Sequence, residues 1–400
     1  MKKTRSTTRL FAGLTANSFL LAFTSLFADI SSEMLYPILP VYLTQTLKAS
    51  GSIVGIIEGI AETTQNLIQG VSGTVSDRLR KYKAIALAGY IVGALSKPLI
   101  GLATSWPFVL VFRFTERLGT GIRSAPRDAL IAGSTDAQHR GKAFGLEGFG
   151  DNLGACIGPL VAVLLIFSLH WNLRNVFYFA FIPGLLAVMM VLSVREKAAG
   201  LPAKMTVASR FTSFPGSFKR YLLAVALFGL GNSSNAFLIL QTKSLGLSFA
   251  GTILVYAGFN LVAALVSYPA GHLSDKLGRK TIFLLALVIF LITYAGFAAS
   301  GQVWIIAALF GLYGVYQGIY RSIGKAIAAD LSPAGLRASG LGWYATTVGV
   351  TGLVASVVAG ILWDKIGHYA VFLFGAIFAL AGIVSFMLLD VRVPGRERQI

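Results

Sequence analysis

Long apolar segments alternate with short polar ones along the whole chain. A helix needs roughly 20 mostly apolar residues to span a bilayer. The pattern therefore predicts an all-α integral membrane protein with about twelve transmembrane helices. The expected spans of the first half are Ala16–Tyr42, Ser50–Val75, Ala84–Ala103, Trp106–Gly121, Ala143–Phe167 and Val176–Val194. Those of the second half are Tyr221–Leu240, Phe249–Ser274, Thr281–Ala299, Val303–Ile323, Gly340–Trp363 and Tyr369–Leu389.

The spans fall into two sets of six. A basic segment that is poor in apolar residues, Arg195–Arg220, separates them. The string Gly73-Thr-Val-Ser-Asp77 recurs 198 residues later as Gly271-His-Leu-Ser-Asp275, and Arg123-Ser recurs at the same offset as Arg321-Ser. We therefore predict two six-helix bundles in a pseudo-twofold repeat. The expected divisions are an N-terminal bundle at 1–194, a cytoplasmic linker at 195–220, a C-terminal bundle at 221–390 and a cytoplasmic tail at 391–400.

Basic residues are distributed unequally between the two sides of the membrane. If the N-terminus is cytoplasmic, nearly all the bases outside the spans fall on the cytoplasmic side. The opposite side holds only Lys48, Arg174, Lys243 and Lys365. This positive-inside bias predicts a multi-pass protein with both termini cytoplasmic. We expect it to lie in a bacterial inner membrane.

The composition agrees with a membrane protein and changes the meaning of the net charge. Hydrophobic residues make up 55% of the chain and charged residues 12%, whereas about a quarter of a soluble protein is charged. The net charge of +18 would suggest nucleic-acid binding in a soluble protein. Because the bases mark topology beside anionic lipid, we expect a lipid bilayer and no nucleic acid as partner. A single cysteine, Cys156, excludes an intrachain disulfide.

The repeated string after the second and eighth spans resembles a family motif. The segment from Gly271 to Lys280 matches Gly-x-x-x-Asp-Arg/Lys-x-Gly-Arg-Lys, and the first copy carries Arg80 where the motif has glycine. The chain thus resembles the major facilitator superfamily, and within it the drug/proton antiporter-like bacterial branch. The resemblance implies alternating access, with these carboxylates meeting the positive N-terminal end of a neighbouring helix at a cytoplasmic gate. The alternative is charge that only sets topology.

The gate is expected to include a second string that resembles poorly assigned bacterial members of the family, around Arg127 and Asp128. The expected gating residues are Gly73, Asp77, Arg78, Arg127, Asp128, Asp275 and Arg279.

A glycine pattern in the fifth span bears on the direction of transport. Gly145 is followed by Gly154 and then by Gly158-Pro159, which resembles the family's antiporter motif, found mainly in exporters. Val161-Ala162 replaces the usual closing glycines. Small residues allow close helix approach, and Pro159 removes a backbone hydrogen bond. We expect export, and the alternative is close packing with no bearing on direction.

Ionisable residues lie inside the expected spans, where each costs roughly 2.5 to 3.5 kcal/mol on insertion scales. The deep ones all fall in the first half, and those spaced i,i+4 share helix faces that are expected to line a cavity. They are Asp29, Glu33, Glu58, Glu62, Lys97, Arg113, Glu116, Arg117 and Asp151, with Glu147 counted as shallow. Acids outnumber bases, so some carboxyls are expected to lack a basic partner and to bind protons part of the time.

The fourth span supplies part of the expected proton-coupling site. Arg113-Phe-Thr-Glu116 resembles the family's Arg-x-x-Gln-Gly motif, which is linked to proton transfer. We expect Arg113 to act on Asp29 or Glu33 as proton carrier, with Glu116 and Arg117 in the same site. The alternative is a static ion-pair network that fixes helix packing.

Polar groups of both halves are expected to bind the substrate. Carboxylates would face it from the first half, and neutral amide and aromatic groups from the second, a lining that suits an amphipathic solute. The expected residues are Glu58, Glu62, Asn232, Asn235, Tyr316 and Gln317. Helix packing is the alternative for the two asparagines.

The sequence therefore predicts a monomeric, proton-coupled antiporter that exports small amphipathic, cationic or zwitterionic molecules. An importer of a small organic metabolite bound by Arg113, Arg117 or Lys97, a metal or siderophore exporter, and a receptor without transport remain alternatives. A membrane enzyme is disfavoured, because neither H-E-x-x-H nor Gly-x-Ser-x-Gly occurs. We expect no cofactor and no bound metal.

Overall fold

The computed structural model describes residues 9–11, 13–36, 38–49, 51–196, 211–235, 237–238, 241 and 249–388. Twelve long helices follow one another in this part of the chain, and the expected all-helical fold is confirmed. The first six are α1 (Ala16–Glu33), α2 (Gly51–Leu79), α3 (Tyr82–Leu102), α4 (Trp106–Ser134), α5 (Arg140–Val163) and α6 (Leu173–Ser193). The second six are α7 (Gly216–Gly229), α8 (Phe249–Leu277), α9 (Arg279–Ala299), α10 (Val303–Leu331), α11 (Arg337–Lys365) and α12 (His368–Met387).

Short elements connect the long helices. Strands β1 (Arg9–Phe11) and β2 (Leu14–Thr15) pair antiparallel ahead of α1. Thr15 then begins α1, because its hydroxyl accepts a hydrogen bond from the backbone N–H of Ser18 at 3.3 Å. The apolar pattern does not predict this hairpin. Single turns of helix lie at Leu39–Val41, Tyr42–Thr46, Ala137–His139, Leu164–Ser168, Phe211–Ser213 and Ala334–Leu336.

The first span ends earlier than its apolar content predicts. We expected a helix from Ala16 to Tyr42, but α1 ends at Glu33 and a turn follows. Prolines at positions 37 and 40 of the sequence explain the difference, because proline has no backbone N–H for a helical hydrogen bond.

The fourth and tenth spans extend further than predicted. The fourth was expected to end at Gly121 and the tenth at Ile323, but α4 continues to Ser134 and α10 to Leu331. A hydropathy window ends at the first cluster of charges, whereas the helix continues because buried apolar residues recur beyond it, such as Ile131 and Ile327. Several bases expected in cytoplasmic loops therefore lie on helix faces.

Among the described residues, seven helical segments are long enough and apolar enough to cross a membrane on length and composition alone. Three of the long helices outside this set, α1, α2 and α4, carry charged side chains within the expected spans. Helices whose polar faces point into the protein have lower hydropathy, and their interior position explains why they fail the same test.

The helices pack as two bundles of six. Two pairs of helices form the main contact between the bundles, α5 with α8 and α2 with α11. Aromatic side chains fill the core of the second bundle, where the rings of Phe290 and Tyr294 stack with centroids 3.9 Å apart. The interior of the first bundle is instead rich in charge, and it supplies most of the candidate site.

Candidate functional site

Two carboxylates join the bundles at the predicted cytoplasmic end. Asp77, near the end of α2, accepts hydrogen bonds from the backbone N–H groups of Ala338 at 3.3 Å and Ser339 at 2.6 Å, in the first turn of α11. Asp275 occupies the equivalent position on α8, and accepts from the N–H groups of Gly141 and Lys142 of α5, both at 2.9 Å. A carboxylate at a helix N-terminus is favourable, because it meets unpaired N–H groups and the positive end of the helix dipole.

The contacts expected from the repeated motif are therefore present in both copies, whereas its gating role stays a prediction. Gly73 allows the first contact, because a Cβ there would overlap the carbonyl of Ala338. Arg78 is exposed at the same end. Arg80 replaces the motif glycine and has φ 53°, while its repeat equivalent Gly278 has φ 97°. The departure from the motif thus puts a side chain in a conformation that favours glycine.

A network of ion pairs reinforces only one of the two contacts. Arg279 pairs with Asp275 at 3.0 Å and with Asp330. Arg140 of α5 pairs with the same Asp330 at 2.7 Å, across the bundle interface. The repeat equivalents of Arg279 and Asp330 are Lys81 and Ala132. The first repeat therefore has no acid at the position of Asp330, and the two contacts differ in charge.

A second cluster lies deeper between the bundles. The Arg127 guanidinium pairs with Asp128 and Glu147, both at 2.8 Å. Lys325 of α10 reaches the same acids, with its Nζ 3.0 Å from Glu147 and 3.5 Å from Asp128. Glu147 was counted as shallow within its span, and its side chain is 1% exposed. It is buried because α8 and α10 pack over this face of α5.

A third cluster contains a pair of facing carboxyls. Asp29 of α1 and Asp151 of α5 are close enough to share a hydrogen bond. Arg321 of α10 pairs with Asp151 at 3.0 Å, from the opposite bundle. Arg123 lies 3.8 Å from Asp29 and stacks its guanidinium 4.4 Å from the centroid of the Tyr90 ring. Two carboxyls share a hydrogen bond only while one of them carries a proton, so a proton held at this site would lie between them.

Arg113 does not contact the acids that we expected it to act on. Its guanidinium holds Glu58 through two hydrogen bonds of 3.0 Å and Glu116 through one of 2.9 Å. The expected action of Arg113 on Asp29 or Glu33 stays a prediction, because the guanidinium is paired with other acids in this arrangement. The geometry of α4 explains this, because Arg113 lies on the face that α4 turns towards α2.

The rest of the fourth-span cluster is also paired. Arg117 lies 3.4 Å from the Glu116 carboxylate and donates to the side-chain oxygen of Gln65 at 3.0 Å. Glu33 accepts a hydrogen bond of 3.1 Å from the hydroxyl of Tyr256, whose ring stacks on Tyr36 with centroids 5.2 Å apart. Glu33 thus contacts the second bundle through an aromatic residue.

The expected substrate-binding residues separate into two groups. Glu62 is exposed, and no base lies within ion-pair distance of it in the described residues. The Glu58 side chain is 37% exposed although it is paired. On the second bundle, Asn232 donates to the Tyr316 hydroxyl at 3.0 Å.

Two further amides of the second bundle also have partners. Asn235 accepts from the Tyr313 hydroxyl at 2.7 Å. Gln317 instead bridges the bundles, because it lies 3.4 Å from Asn152 and 3.2 Å from Asn260.

The glycines of the fifth span bring α5 against helices of both bundles. Gly145 faces the carbonyl of Ser267 on α8, which a Cβ at Gly145 would approach to 2.6 Å. Gly154 and Gly158 face α1, where a Cβ would lie 2.8 Å from that of Asp29 and 2.9 Å from that of Glu33 respectively. Pro159 follows inside the same helix. The motif therefore packs α5 on the acidic face of α1.

The expectation that all deep charges belong to the first half is corrected by the second bundle. Arg321 lies near the end of the expected tenth span and Lys325 beyond it, and both supply bases to acids of the first bundle. Their i,i+4 spacing and their 198-residue offset from Arg123 and Arg127 are the signals that could have identified them. Across the described part of the chain, no group of three or more His, Cys, Asp or Glu residues could hold a metal ion.

Comparisons with known proteins identify relatives along nearly the whole chain. A family model described as Major Facilitator Superfamily matches residues 21–212 and 221–400. An uncharacterized MFS-type transporter of Methanocaldococcus jannaschii is 35% identical over 382 residues, which cover 94% of each chain. The multidrug resistance protein MdtG of Salmonella schwarzengrund is 28% identical over 314 residues, 72% of this chain and 73% of that one.

A solved structure has the same fold. The human organic anion transporter MFSD10 superposes with a TM-score of 0.80 at 15% identity, and the match covers 92% of this chain and 99% of that chain.

Proposed function

The chain belongs to the major facilitator superfamily, and we propose that it is a proton-coupled antiporter that exports small amphipathic, cationic or zwitterionic molecules by alternating access. Membership makes it a multi-pass membrane transporter of a small-molecule substrate and not an enzyme. We further propose that it works as a monomer in a bacterial inner membrane with both termini cytoplasmic. The Lys and Arg bias of the sequence supports that orientation.

The carboxyl pair of Asp29 and Asp151 carries this proposal. A shared hydrogen bond requires one proton on the pair. Asp151 also holds Arg321 of the second bundle at 3.0 Å, so the proton and the bundle interface act on the same group. Protonation of Asp29 leaves the charge of Asp151 free to bind Arg321 while the cytoplasmic end is closed.

Opening of the cytoplasmic end would separate Arg321 from the pair and admit water. Hydration and a cationic substrate both favour charged carboxylates, so the proton would leave as the substrate arrives. If the cytoplasmic end closed with neither a proton nor a substrate bound, two adjacent carboxylates would be buried with too little compensating charge. Burial of such uncompensated charge is unfavourable. Proton and substrate therefore neutralise the same acids in turn, as antiport requires.

An amphipathic cation suits the remaining groups. Glu62 is exposed and Glu33 is bound to Tyr256, so carboxylates and aromatic rings lie together. Aromatic faces attract cations, and their apolar area binds the rest of such a molecule. The polar pairs formed by Asn232 and Tyr316 supply neutral hydrogen-bonding groups from the second bundle.

Export is supported by the packing of α5 and by one relative. Gly154 and Gly158 bring α5 against Asp29 and Glu33 of α1, and their spacing resembles the antiporter motif of the family. The relative named a multidrug resistance protein is similar over 72% of the chain.

Import of a small organic anion is the second candidate. The Arg321 side chain is 46% exposed and could bind a carboxylate of such a substrate. Arg113, which we also considered for this role, is occupied by Glu58 and Glu116.

Inverted membrane vesicles with an acidic lumen test the function and its direction. Because the lumen corresponds to the outside of the cell, an exporter driven by protons accumulates ethidium in these vesicles. We expect accumulation with the native protein, less than about a tenth of it with Asp29→Asn, and native levels with Asp136→Asn, whose carboxylate lies outside the spans. Loss of preloaded solute down the same gradient would instead show import.

A further inference from the structure

A small cavity lies inside the first bundle, away from the interface between the bundles. Its walls come from α1, α3, α4 and α6, and it has room for about one small guest. Gly93 and Gly184 leave this space because they have no side chains. Lys97, Arg123 and Tyr90 supply its most polar walls.

Lys97 faces this cavity without a carboxylate partner. Its side chain is 3% exposed, and in the described residues no acid lies within ion-pair distance of its Nζ. Glu116 is the acid that acts on it most strongly. The Glu116 carboxylate already binds Arg113 at 2.9 Å and Arg117 at 3.4 Å. A buried amine keeps its proton only beside a compensating charge, and an anion bound in the cavity would supply that charge.

The groups around Lys97 carry an excess of positive charge. Of the charged side chains that act on it most strongly, three are arginines, namely Arg113, Arg117 and Arg123, and one is Glu116. The Tyr90 hydroxyl is buried and has no hydrogen-bond partner in the described residues. A buried hydroxyl without a partner is rare in proteins. Two cations and a free O–H donor thus converge on one small space.

We propose that this cavity is a binding site for a small monovalent anion of the size of chloride. The anion would accept the Tyr90 O–H and pair with Lys97 and Arg123, and it would tie α3 and α4 together beside α1. Arg123 also lies 3.8 Å from Asp29, so the bound anion shares this guanidinium with the carboxyl pair. Transport would consequently depend on the anion in the medium, while the site itself forms whether or not the chain couples to protons.

Thermal unfolding of the purified full-length protein in detergent tests the site without any transport measurement. The native protein is compared in sodium chloride, bromide, gluconate and sulfate at one ionic strength. Gluconate is too large for a cavity that has room for about one small guest. We expect chloride and bromide to raise the unfolding temperature in a saturable way, and gluconate and sulfate to have no such effect.

Three variants assign the effect to the cavity. Lys97→Met removes the ammonium, and is expected to abolish the saturable rise. Tyr90→Phe removes one hydrogen bond, and is expected to increase the half-saturating chloride concentration roughly tenfold. Gly93→Ala keeps every charge and adds a methyl, which has room because the atom nearest to it is the Glu116 carbonyl oxygen, 3.8 Å away. We expect it to weaken chloride binding by filling the space.

Lys48→Met is the matched control, because this exposed lysine lies outside the bundle interior, and its chloride response is expected to be native. Unfolding temperatures of the native protein that do not distinguish chloride from gluconate would mean that the cavity holds only water, and would overturn the proposal. A native chloride response in Lys97→Met would overturn it as well. If that variant does not fold, Tyr90→Phe and Gly93→Ala decide, and native half-saturation in both is the contradicting result.

Discussion

At the scale of single residues, the charges of the first bundle differ in what they can exchange. Arg113 lies between Glu58 and Glu116, and its side chain is 1% exposed, so these three groups form an ion-pair unit around a buried guanidinium. Asp29 instead faces Asp151, which contacts the second bundle through Arg321 at 3.0 Å. The ion-pair unit suits a structural role, and the carboxyl pair suits proton exchange.

The structural role of Arg113 predicts a large loss of stability on its removal. Arg113→Met leaves Glu58 without its ion-pair partner and the buried Glu116 with Arg117 alone, and we expect it to lower the free energy of unfolding by about 3–5 kcal/mol. Chemical unfolding in detergent measures the loss. Glu62→Gln is the control, with an expected change of less than about 0.5 kcal/mol because Glu62 is exposed.

The double variant Arg113→Met with Glu58→Gln is expected to cost less than the single Arg113→Met, because it leaves one uncompensated acid fewer. A stability of Arg113→Met equal to that of the native protein would contradict this assignment.

At the scale of helices, the ends of α2 and α8 hold the starts of α11 and α5. Asp77 binds the first N–H groups of α11, and Asp275 binds those of α5. The second contact has additional ion pairs through Arg279 and Asp330. At the equivalent positions of the first contact, the sequence has a lysine and an alanine. The first contact is therefore expected to open more easily when its carboxylate is neutralised.

Labelling with a water-soluble maleimide measures this opening. Ser339 is 0% exposed where α11 begins, so Ser339→Cys in a Cys156→Ser background is expected to react slowly. Asp77→Asn is expected to increase the labelling rate about fivefold, since a carboxylate at a helix N-terminus contributes about 1 kcal/mol. The control Asp136→Asn, in the loop before α5, is expected to leave the rate unchanged. Equal rates for Asp77→Asn and the native gate would contradict a closing role for Asp77.

At the scale of the whole molecule, the architecture could be predicted from the sequence. The ion-pair partners across the interface between the bundles could not. The apolar pattern predicts the twelve helices, and the 198-residue repeat predicts that Asp77 and Asp275 have equivalent contacts. These features follow from composition and from local symmetry.

The partners of Arg113, Glu147 and Lys325 could not be predicted in the same way. A hydropathy window ends at the first charges, so Lys325 was assigned to a loop although α10 continues through it. The rotation of each helix decides which neighbour a side chain meets, and α4 turns Arg113 towards α2 rather than towards Asp29. The contacts of these side chains therefore depend on how helices that are distant in sequence pack together.

Proton release on substrate binding tests the proposed coupling most directly. Ethidium is added to purified protein in weakly buffered detergent solution, and the pH is followed with an indicator dye. We predict that the pair of Asp29 and Asp151 gives up its proton when a cation binds. The native protein and the control Asp136→Asn then release protons in proportion to bound ethidium. The variant Asp29→Asn releases none. Binding of ethidium without proton release by the native protein, or equal release by Asp29→Asn, would contradict the account.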